Sequence, residues 1–106
     1  MELKNLIAGR LLEAQTDRYD DVYNPSTGQV IARVPLSNSA DVSTAVEAAN
    51  AALPAWKSTP VIERARVMFR YREILEREFE SLATLITREH GKTLVESRAE
   101  VRRGIE

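Results

Sequence analysis

The sequence predicts an α+β fold in which β-hairpins precede three to four helices. Glycine- and proline-marked turns dominate residues 1–36, for example where Leu6-Ile7 and Leu11-Leu12 flank Gly9. From residue 37 to 106, apolar residues instead recur at helical spacing. A chain of 106 residues with 43% hydrophobic content can form one small domain but not two. We therefore expect one domain, or part of a larger one, with a β ribbon over residues 1–36 and helices over residues 37–106.

The second hairpin carries the clearer turn pattern. It joins Tyr19–Tyr23 to Gln29–Val34 through a loop containing Asn24, Pro25 and Gly28. An asparagine side chain can form a hydrogen bond with the backbone of its own turn, and proline presets φ at the second turn position. Glycine can take the left-handed conformation that restarts a strand. These features predict a tight antiparallel connection.

The first helix is predicted to begin at Asn38, a favourable N-cap with Asp41 at the third helical position. We expect it to end before Pro54, with Trp56 as a core anchor beyond its end. Its apolar stripe is mostly alanine, which favours close approach to a neighbouring element. The stripe comprises Val42, Ala45, Val46, Ala49, Ala52 and Leu53.

A second helix is predicted from Thr59 as N-cap, with Pro60 at the first helical position, and continues to a stop at Gly91. Its apolar positions are Ala65, Met68, Phe69, Leu75, Phe79, Leu82, Leu85 and Ile86. Thr93 and Glu96 form a capping box that opens a last helix. One face of that helix carries Leu94, Val101 and Ile105. An apolar face that persists to the end suggests truncation at residue 106, with a natural stop at Gly104 as the alternative.

Composition excludes several classes of function. The 15 basic and 16 acidic side chains nearly cancel, so no net field attracts nucleic acid or an anionic membrane. The absence of cysteine removes disulfides, thiolate metal sites and a thiol nucleophile, and one histidine cannot form a multi-histidine metal site. No apolar run has the length of a secretory or membrane segment. We expect a soluble cytoplasmic protein that binds neither nucleic acid nor membrane.

Three short patterns invite catalytic or binding interpretations. Gly91-Lys92-Thr93 matches the end of a phosphate-binding P-loop, but Ile86 stands where that loop requires glycine. His90 has no discernible nucleophile or orienting partner, and a histidine at a helix C-terminus is usually a favourable dipole interaction. The loop Asn24–Gly28 could cradle an anion with its amides, but a hairpin turn is the simpler interpretation. None of them predicts a site.

The last helix carries three arginines, Arg98, Arg102 and Arg103. Arg98 and Arg102 share a face, whereas Arg103 points elsewhere. Surface ion pairing explains all three, as it explains the acidic run of the preceding helix at Glu73, Glu76, Glu78 and Glu80. A guanidinium can also hold a carboxylate through two parallel hydrogen bonds. The residues alone do not choose which arginine, if any, anchors a substrate.

The order of these motifs resembles the N-terminal region of the aldehyde dehydrogenase superfamily, over essentially the whole chain. The motifs are Ile7-Ala8-Gly9-Arg10, Asn24-Pro25-Ser26-Thr27-Gly28-Gln29-Val30-Ile31, Pro54-Ala55-Trp56, Arg64-Ala65-Arg66 and Glu89-His90-Gly91-Lys92-Thr93. The resemblance implies that these residues form part of an α/β, Rossmann-like NAD-binding domain in the intact protein. Within the superfamily, the sequence is most similar to the CoA-acylating methylmalonate-semialdehyde (malonate-semialdehyde) dehydrogenases. Glu100-Val101-Arg102-Arg103-Gly104-Ile105-Glu106 is the main reason.

The resemblance implies a role for one residue of this chain. The arginine of that branch's Glu-Val-x-Arg-Gly motif contacts the substrate carboxylate, and it corresponds to Arg103, with Gly104 fixing its frame. The implied parent enzyme converts malonate or methylmalonate semialdehyde to acetyl-CoA or propionyl-CoA with NAD and CoA, as a homo-oligomer, dimer or tetramer. Its catalytic cysteine and cofactor residues lie beyond residue 106. The 106 residues are therefore expected to be inert alone and to bind no cofactor.

Two other functions remain open at the level of sequence. Another aldehyde dehydrogenase branch, such as one acting on succinate semialdehyde, would leave Arg103 as a structural surface residue. A complete, non-enzymatic helical interaction module would fold stably alone and expose no apolar face. Ala8, where asparagine is common in the family, departs from the pattern and weakens the prediction of the first turn.

Overall fold

The computed structural model describes all residues from Met1 to Glu106. Four strands precede four helices, which confirms the predicted α+β fold and its order. The elements are β1 Asn5–Ile7, β2 Arg10–Leu12, β3 Tyr19–Tyr23, β4 Val30–Pro35, α1 Ser39–Ser58, α2 Val61–Arg77, α3 Phe79–His90 and α4 Leu94–Ile105. They fall into two compact units, residues 1–23 with 30–59, and residues 24–29 with 60–106.

The strands form two separate antiparallel sheets of two strands each rather than one ribbon. Gly9 takes the predicted positive φ of 75°, and Ala8 adopts 50° beside it, so the first turn forms without asparagine. The second turn also follows the prediction, because Gly28 has a φ of 70° and the Asn24 side chain accepts the Ser26 N–H at 3.0 Å. A parallel bridge between Glu2 and Arg33 extends the second sheet.

Helix α1 begins as predicted. The Asn38 side chain accepts the N–H groups of Ala40 and Asp41 at 2.9 and 3.2 Å, while the Asp41 carboxylate accepts the Asn38 N–H at 2.9 Å. Asp41 also accepts the Gln15 N–H at 2.8 Å and is only 5% exposed. This carboxylate therefore accepts hydrogen bonds from the N-cap amide and from a loop amide. These hydrogen bonds compensate for its burial.

The predicted boundary between the first two helices is wrong. Helix α1 runs through Pro54 to Ser58, because proline has a helix-compatible φ and its missing N–H removes one helical hydrogen bond without ending the others. Trp56 consequently lies inside α1 and is 43% exposed, so it is not the predicted core anchor. Thr59 caps the end of α1, its hydroxyl donating to the Ala55 carbonyl at 2.8 Å, instead of capping α2. Pro60 precedes α2 as its N-cap.

The predicted second helix is two helices separated by Glu78. This residue has φ −92° and ψ 9°, and its carbonyl accepts the Leu82 N–H at 3.0 Å and the Ser81 hydroxyl at 2.8 Å. The apolar spacing shows no break because a single residue departs from helical geometry. Gly91 ends α3 with a φ of 82°, and Thr93 opens α4 with the capping box, as predicted.

Burial is concentrated where α3 packs on α4. Ala83 and Ser97 are fully buried and Val101 is 9% exposed, with the Ser97 and Thr87 hydroxyls hydrogen-bonded at 2.8 Å. Helix α2 buries none of its residues, and the predicted stripe residue Phe69 is 62% exposed. A groove of about 410 Å³ lies between α2 and the end of α4, lined by Ala65, Met68, Phe69, Leu75, Gly104 and Ile105. No helix has the length and apolarity required to cross a bilayer.

Candidate functional site

The candidate site is the arginine-bearing helix α4. The capping box fixes the start of the helix, since the Thr93 hydroxyl accepts the Glu96 N–H and the Glu96 carboxylate accepts the Thr93 N–H. The Thr93 hydroxyl and the Thr93 N–H both donate to the Glu96 carboxylate, which holds the pKa of Glu96 below its ordinary value. Ser97 and Val101 then turn one face of α4 towards α3. The rotational position of every other side chain on α4 follows from this packing.

Arg98 and Arg102 both pair with acidic residues of other helices. Arg98 donates through Nε to Glu80 Oε1 at 3.0 Å and through Nη2 to Oε2 at 2.9 Å. This hydrogen bonding holds the pKa of Glu80 below its ordinary range. Arg102 Nη1 donates to both carboxylate oxygens of Glu76, at 2.7 and 3.0 Å. The two pairs form an ion-pair ladder: Arg98 and Arg102 lie four residues apart on α4, and their partners are Glu80 of α3 and Glu76 of α2.

Arg102 also lies against an aromatic ring. Its guanidinium carbon is 4.6 Å from the centre of the Phe79 ring, within the range of a cation–π interaction. Glu76 lies in the last turn of α2, and Phe79 is the first residue of α3. Arg102 therefore ties α4 to the junction of the two preceding helices.

Arg103 has a different environment. It is exposed, and it is the one arginine of α4 without a carboxylate within 4.0 Å. Successive helical residues are rotated by about 100°, so Arg103 lies about 200° around the axis from Val101. Its side chain leaves the helix on the side opposite the α3 contact. The expectation that Arg103 points away from Arg98 and Arg102 is thus confirmed.

The other residues around Arg103 have structural explanations. Glu100 pairs with Lys92, which holds the pKa of the carboxyl below its ordinary value. Val101 is buried against α3. Gly104 lies inside α4, so it is not the helix terminator considered above, and an added Cβ would have no neighbour within 4 Å. Arg103 makes no hydrogen bond or ion pair with its side chain in this chain, and its charge adds a smaller contribution to the lowered pKa of Glu100.

The three rejected patterns have structural roles. Gly91 and Thr93 are a helix stop and a helix start, and Lys92 between them is paired with Glu100. His90 is an exposed residue at the end of α3. The loop from Asn24 is a hairpin turn whose Gly28 N–H donates to the Asn24 carbonyl at 2.8 Å. No group of three or more histidine, cysteine or acidic side chains could hold a metal ion.

Sequence reasoning missed the connection between the acidic run and the arginines of α4. It predicted a salt-bridged face within one helix, whereas Glu76 and Glu80 pair with Arg102 and Arg98. The available signal was the equal spacing of four in both pairs of residues. That signal was insufficient, because the break at Glu78 determines which way the two carboxylates face.

Comparisons with known proteins agree with this architecture. A family model for the aldehyde dehydrogenase family matches residues 12–106. Malonate-semialdehyde dehydrogenase 1 of Shouchella clausii (strain KSM-K16) is 51% identical over 105 residues, which are 99% of this chain and 21% of that protein. The chain therefore spans about a fifth of the length of the relatives it matches.

Solved structures give the same result. The methylmalonate-semialdehyde dehydrogenase of Oceanimonas doudoroffii aligns with a TM-score of 0.93 and 38% identity, over 98% of this chain and 21% of that one. A Sinorhizobium meliloti 1021 protein, named as a candidate methylmalonate-semialdehyde dehydrogenase and solved with NAD, aligns with a TM-score of 0.95 and 36% identity over 99% and 21% of the two chains. The chain belongs to the aldehyde dehydrogenase family.

Proposed function

We propose that this chain is the N-terminal part of an NAD-dependent, CoA-acylating dehydrogenase for malonate or methylmalonate semialdehyde, and that Arg103 binds the carboxylate of the substrate. The observation that carries the proposal is the exposed guanidinium of Arg103, which forms no ion pair within this chain, whereas Glu100 and Arg102 of the same motif do. The names of the similar proteins favour this substrate class over an uncharged aldehyde.

The chemistry of Arg103 suits a small carboxylated aldehyde. A guanidinium stays charged at every relevant pH and offers paired N–H donors with the geometry of a carboxylate. Since no carboxylate of this chain pairs with Arg103, binding a substrate would not require breaking an existing ion pair. The neighbouring Arg102 would first have to release Glu76 and Phe79. Arg103 is therefore the better anchor.

The residues of this chain do not fit a nucleotide cofactor. A dinucleotide site needs a glycine-rich turn between a strand and a helix N-terminus with free N–H groups. Here the strands are joined as hairpins, and the start of α4 is satisfied by its own capping box. We therefore assign NAD and CoA binding, and the nucleophile, to the part of the parent enzyme outside these residues. This chain would contribute orientation of the substrate.

The proposal also accounts for the exposed apolar side chains of α2. Helix α2 exposes Val61, Met68 and Phe69 by 57% or more, which disfavours a self-contained interaction module. The similar proteins are about five times as long as this chain. We infer that the remainder of the parent chain covers the α2 face, and that the intact enzyme is a homo-oligomer.

The test is a substrate panel assayed on the full-length enzyme carrying Arg103→Ala. We expect kcat/KM for malonate semialdehyde to fall by about thirtyfold, the equivalent of losing ~2 kcal/mol of charge-assisted hydrogen bonding. For propanal, which has no carboxylate, kcat/KM should be unchanged. Arg88→Ala is the matched control, because Arg88 is an exposed arginine of α3 without an ion pair. Equal effects on both aldehydes would contradict the role of Arg103.

A further inference from the structure

Two adjacent arginines of α4 have opposite environments. Arg102 is held by Glu76 at 2.7 Å and by the Phe79 ring at 4.6 Å, whereas Arg103 is exposed and unpaired. Because consecutive helical residues share a rigid backbone, any rotation of α4 that displaces Arg102 displaces Arg103 by the same angle. The environment of Arg102 therefore constrains the direction of Arg103.

The contacts of Arg102 are directional. Its Nη1 atom reaches both oxygens of the Glu76 carboxylate while the guanidinium stays near the face of Phe79. A rotation of one helical residue, about 100°, would break both contacts at once. The buried residues Ala83, Ser97 and Val101 set the general rotation of α4 against α3. The contacts of Arg102 add a second constraint, directly beside Arg103.

We propose that Arg102 is a positioning residue, which fixes the rotation of α4 through Glu76 and Phe79 so that Arg103 is directed towards the substrate carboxylate. The inference rests on the proposed function, because it needs Arg103 to bind a substrate. Arg102 itself does not touch the substrate. Its role is to restrict the orientations of its neighbour, which reduces the entropy lost when a carboxylate is bound.

The ladder provides an internal comparison for this role. Arg98 makes an equally close pair with Glu80, at 2.9 Å, but lies more than one turn away from Arg103 and has no aromatic partner. Both pairs attach α4 to its neighbours. If attachment alone mattered, the loss of either pair would have the same consequence. If position mattered, the loss of Arg102 would affect the substrate carboxylate more strongly.

The experiment compares Arg102→Ala, Arg102→Lys and Arg98→Ala in the full-length enzyme, with malonate semialdehyde and propanal as substrates. We expect Arg102→Ala to raise KM for malonate semialdehyde about tenfold, with kcat and the KM for propanal within about twofold of the unchanged enzyme. Lysine keeps the charge opposite Glu76 and should restore part of the affinity. Arg98→Ala should change KM by less than about threefold. If Arg102→Ala fails to fold, Phe79→Leu removes the aromatic contact alone and should raise the same KM.

The outcomes separate this inference from the function on which it rests. A selective effect of Arg102→Ala, together with the effect of Arg103→Ala, supports both. An effect of Arg103→Ala without one of Arg102→Ala overturns the positioning role and leaves the substrate anchor intact. Equal losses for both aldehydes in Arg102→Ala, or equal effects of Arg98→Ala, indicate a merely structural role and overturn the inference. If Arg103→Ala is without effect, both proposals fail.

Discussion

The α3–α4 pair and helix α2 have similar amphipathic sequences but very different packing. Between α3 and α4, Ala83, Ser97 and Val101 are buried, and a hydroxyl pair is enclosed with them. Helix α2 is longer, at 17 residues against 12 in α3 and 12 in α4, yet none of its residues is fully buried. An apolar stripe predicts that a helix has a partner, but it does not show which part of a protein supplies that partner.

The comparison also explains which contacts hold each region. The α3–α4 pair combines small buried residues with the stop at Gly91, the cap at Thr93 and the ion pair between Arg98 and Glu80. Helix α1 also buries almost none of its residues. It depends on the hydrogen bonds around Asn38 and Asp41. Substitutions in the α3–α4 pair should therefore lower stability mainly through lost packing. Substitutions in α1 should lower it mainly through lost capping hydrogen bonds.

The largest effect on stability is expected from a substitution at Gly91, which ends α3 before α4 begins. Its φ is 82°, and an added Cβ would lie 2.9 Å from Pro25 Cγ. Gly91→Ala should lower the free energy of unfolding by about 3 kcal/mol, from left-handed strain together with overpacking. Gly28→Ala is the control, because Gly28 has a φ of 70° but open space around its Cβ position. Urea unfolding of both variants measures the difference, and equal losses would show that the Pro25 contact does not matter.

A smaller effect is expected from filling the packed interface. Ala83 is fully buried between α3 and α4, so Ala83→Leu should cost about 2 kcal/mol by overpacking. Ala51→Leu makes the same change at an exposed position of α1 and should change stability by less than about 0.5 kcal/mol. Thermal unfolding of the two variants tests the comparison directly. A costly Ala51→Leu would mean that α1 is packed as closely as α3.

The third effect concerns capping of α1. Asn38→Ala removes the side chain that accepts two helix N–H groups and should cost about 1 kcal/mol. Thr93→Ala makes the corresponding change at the start of α4. Because α1 has few buried contacts, Asn38→Ala should mainly speed amide hydrogen exchange in the first turns of α1. Uniform acceleration in α3 and α4 as well would show that α1 does not open independently.

The sequence predicted the helix ends that depend on local chemistry. The caps at Asn38 and Thr93 and the stop at Gly91 were found because each satisfies backbone groups within a few residues. The boundary near Pro54 was wrong, since a proline within a helix is tolerated when the surrounding turns continue. The break at Glu78 left no trace in an apolar pattern that both helices share.

The candidate site was predictable only in part. The three arginines and their faces followed from helical spacing, and the resemblance to a family selected Arg103. The contact of Arg102 with Glu76 and Phe79 could not be derived, because residues 26 and 23 positions apart in sequence meet only after α2, α3 and α4 have packed. The partners of Arg98 and Arg102 therefore required the structure.

The smallest effect is expected from pH, through the exposed ion pairs of the α3–α4 region. The folded pKa values of Glu80 and Glu100 are lowered from 4.5 by hydrogen bonds from Arg98 and Lys92. A carboxyl with a lowered folded pKa stabilises the protein above its unfolded pKa and loses that contribution as pH falls through the folded value. The urea midpoint should therefore be constant above about pH 6 and decline below about pH 4.5.

Removing these carboxylates should weaken that pH dependence. The double variant Glu80→Gln, Glu100→Gln should show a shallower decline in the urea midpoint on acidification, because two of the groups that take up protons on unfolding are gone. Glu47→Gln, at an exposed position of α1 without an ion pair, should leave the curve unchanged. Salt of about 1 M should reduce the contribution of these ion pairs to stability, since charges at the surface are screened. An unaltered acid decline in the double variant would show that pairing of Glu80 and Glu100 contributes nothing to the stability of this region.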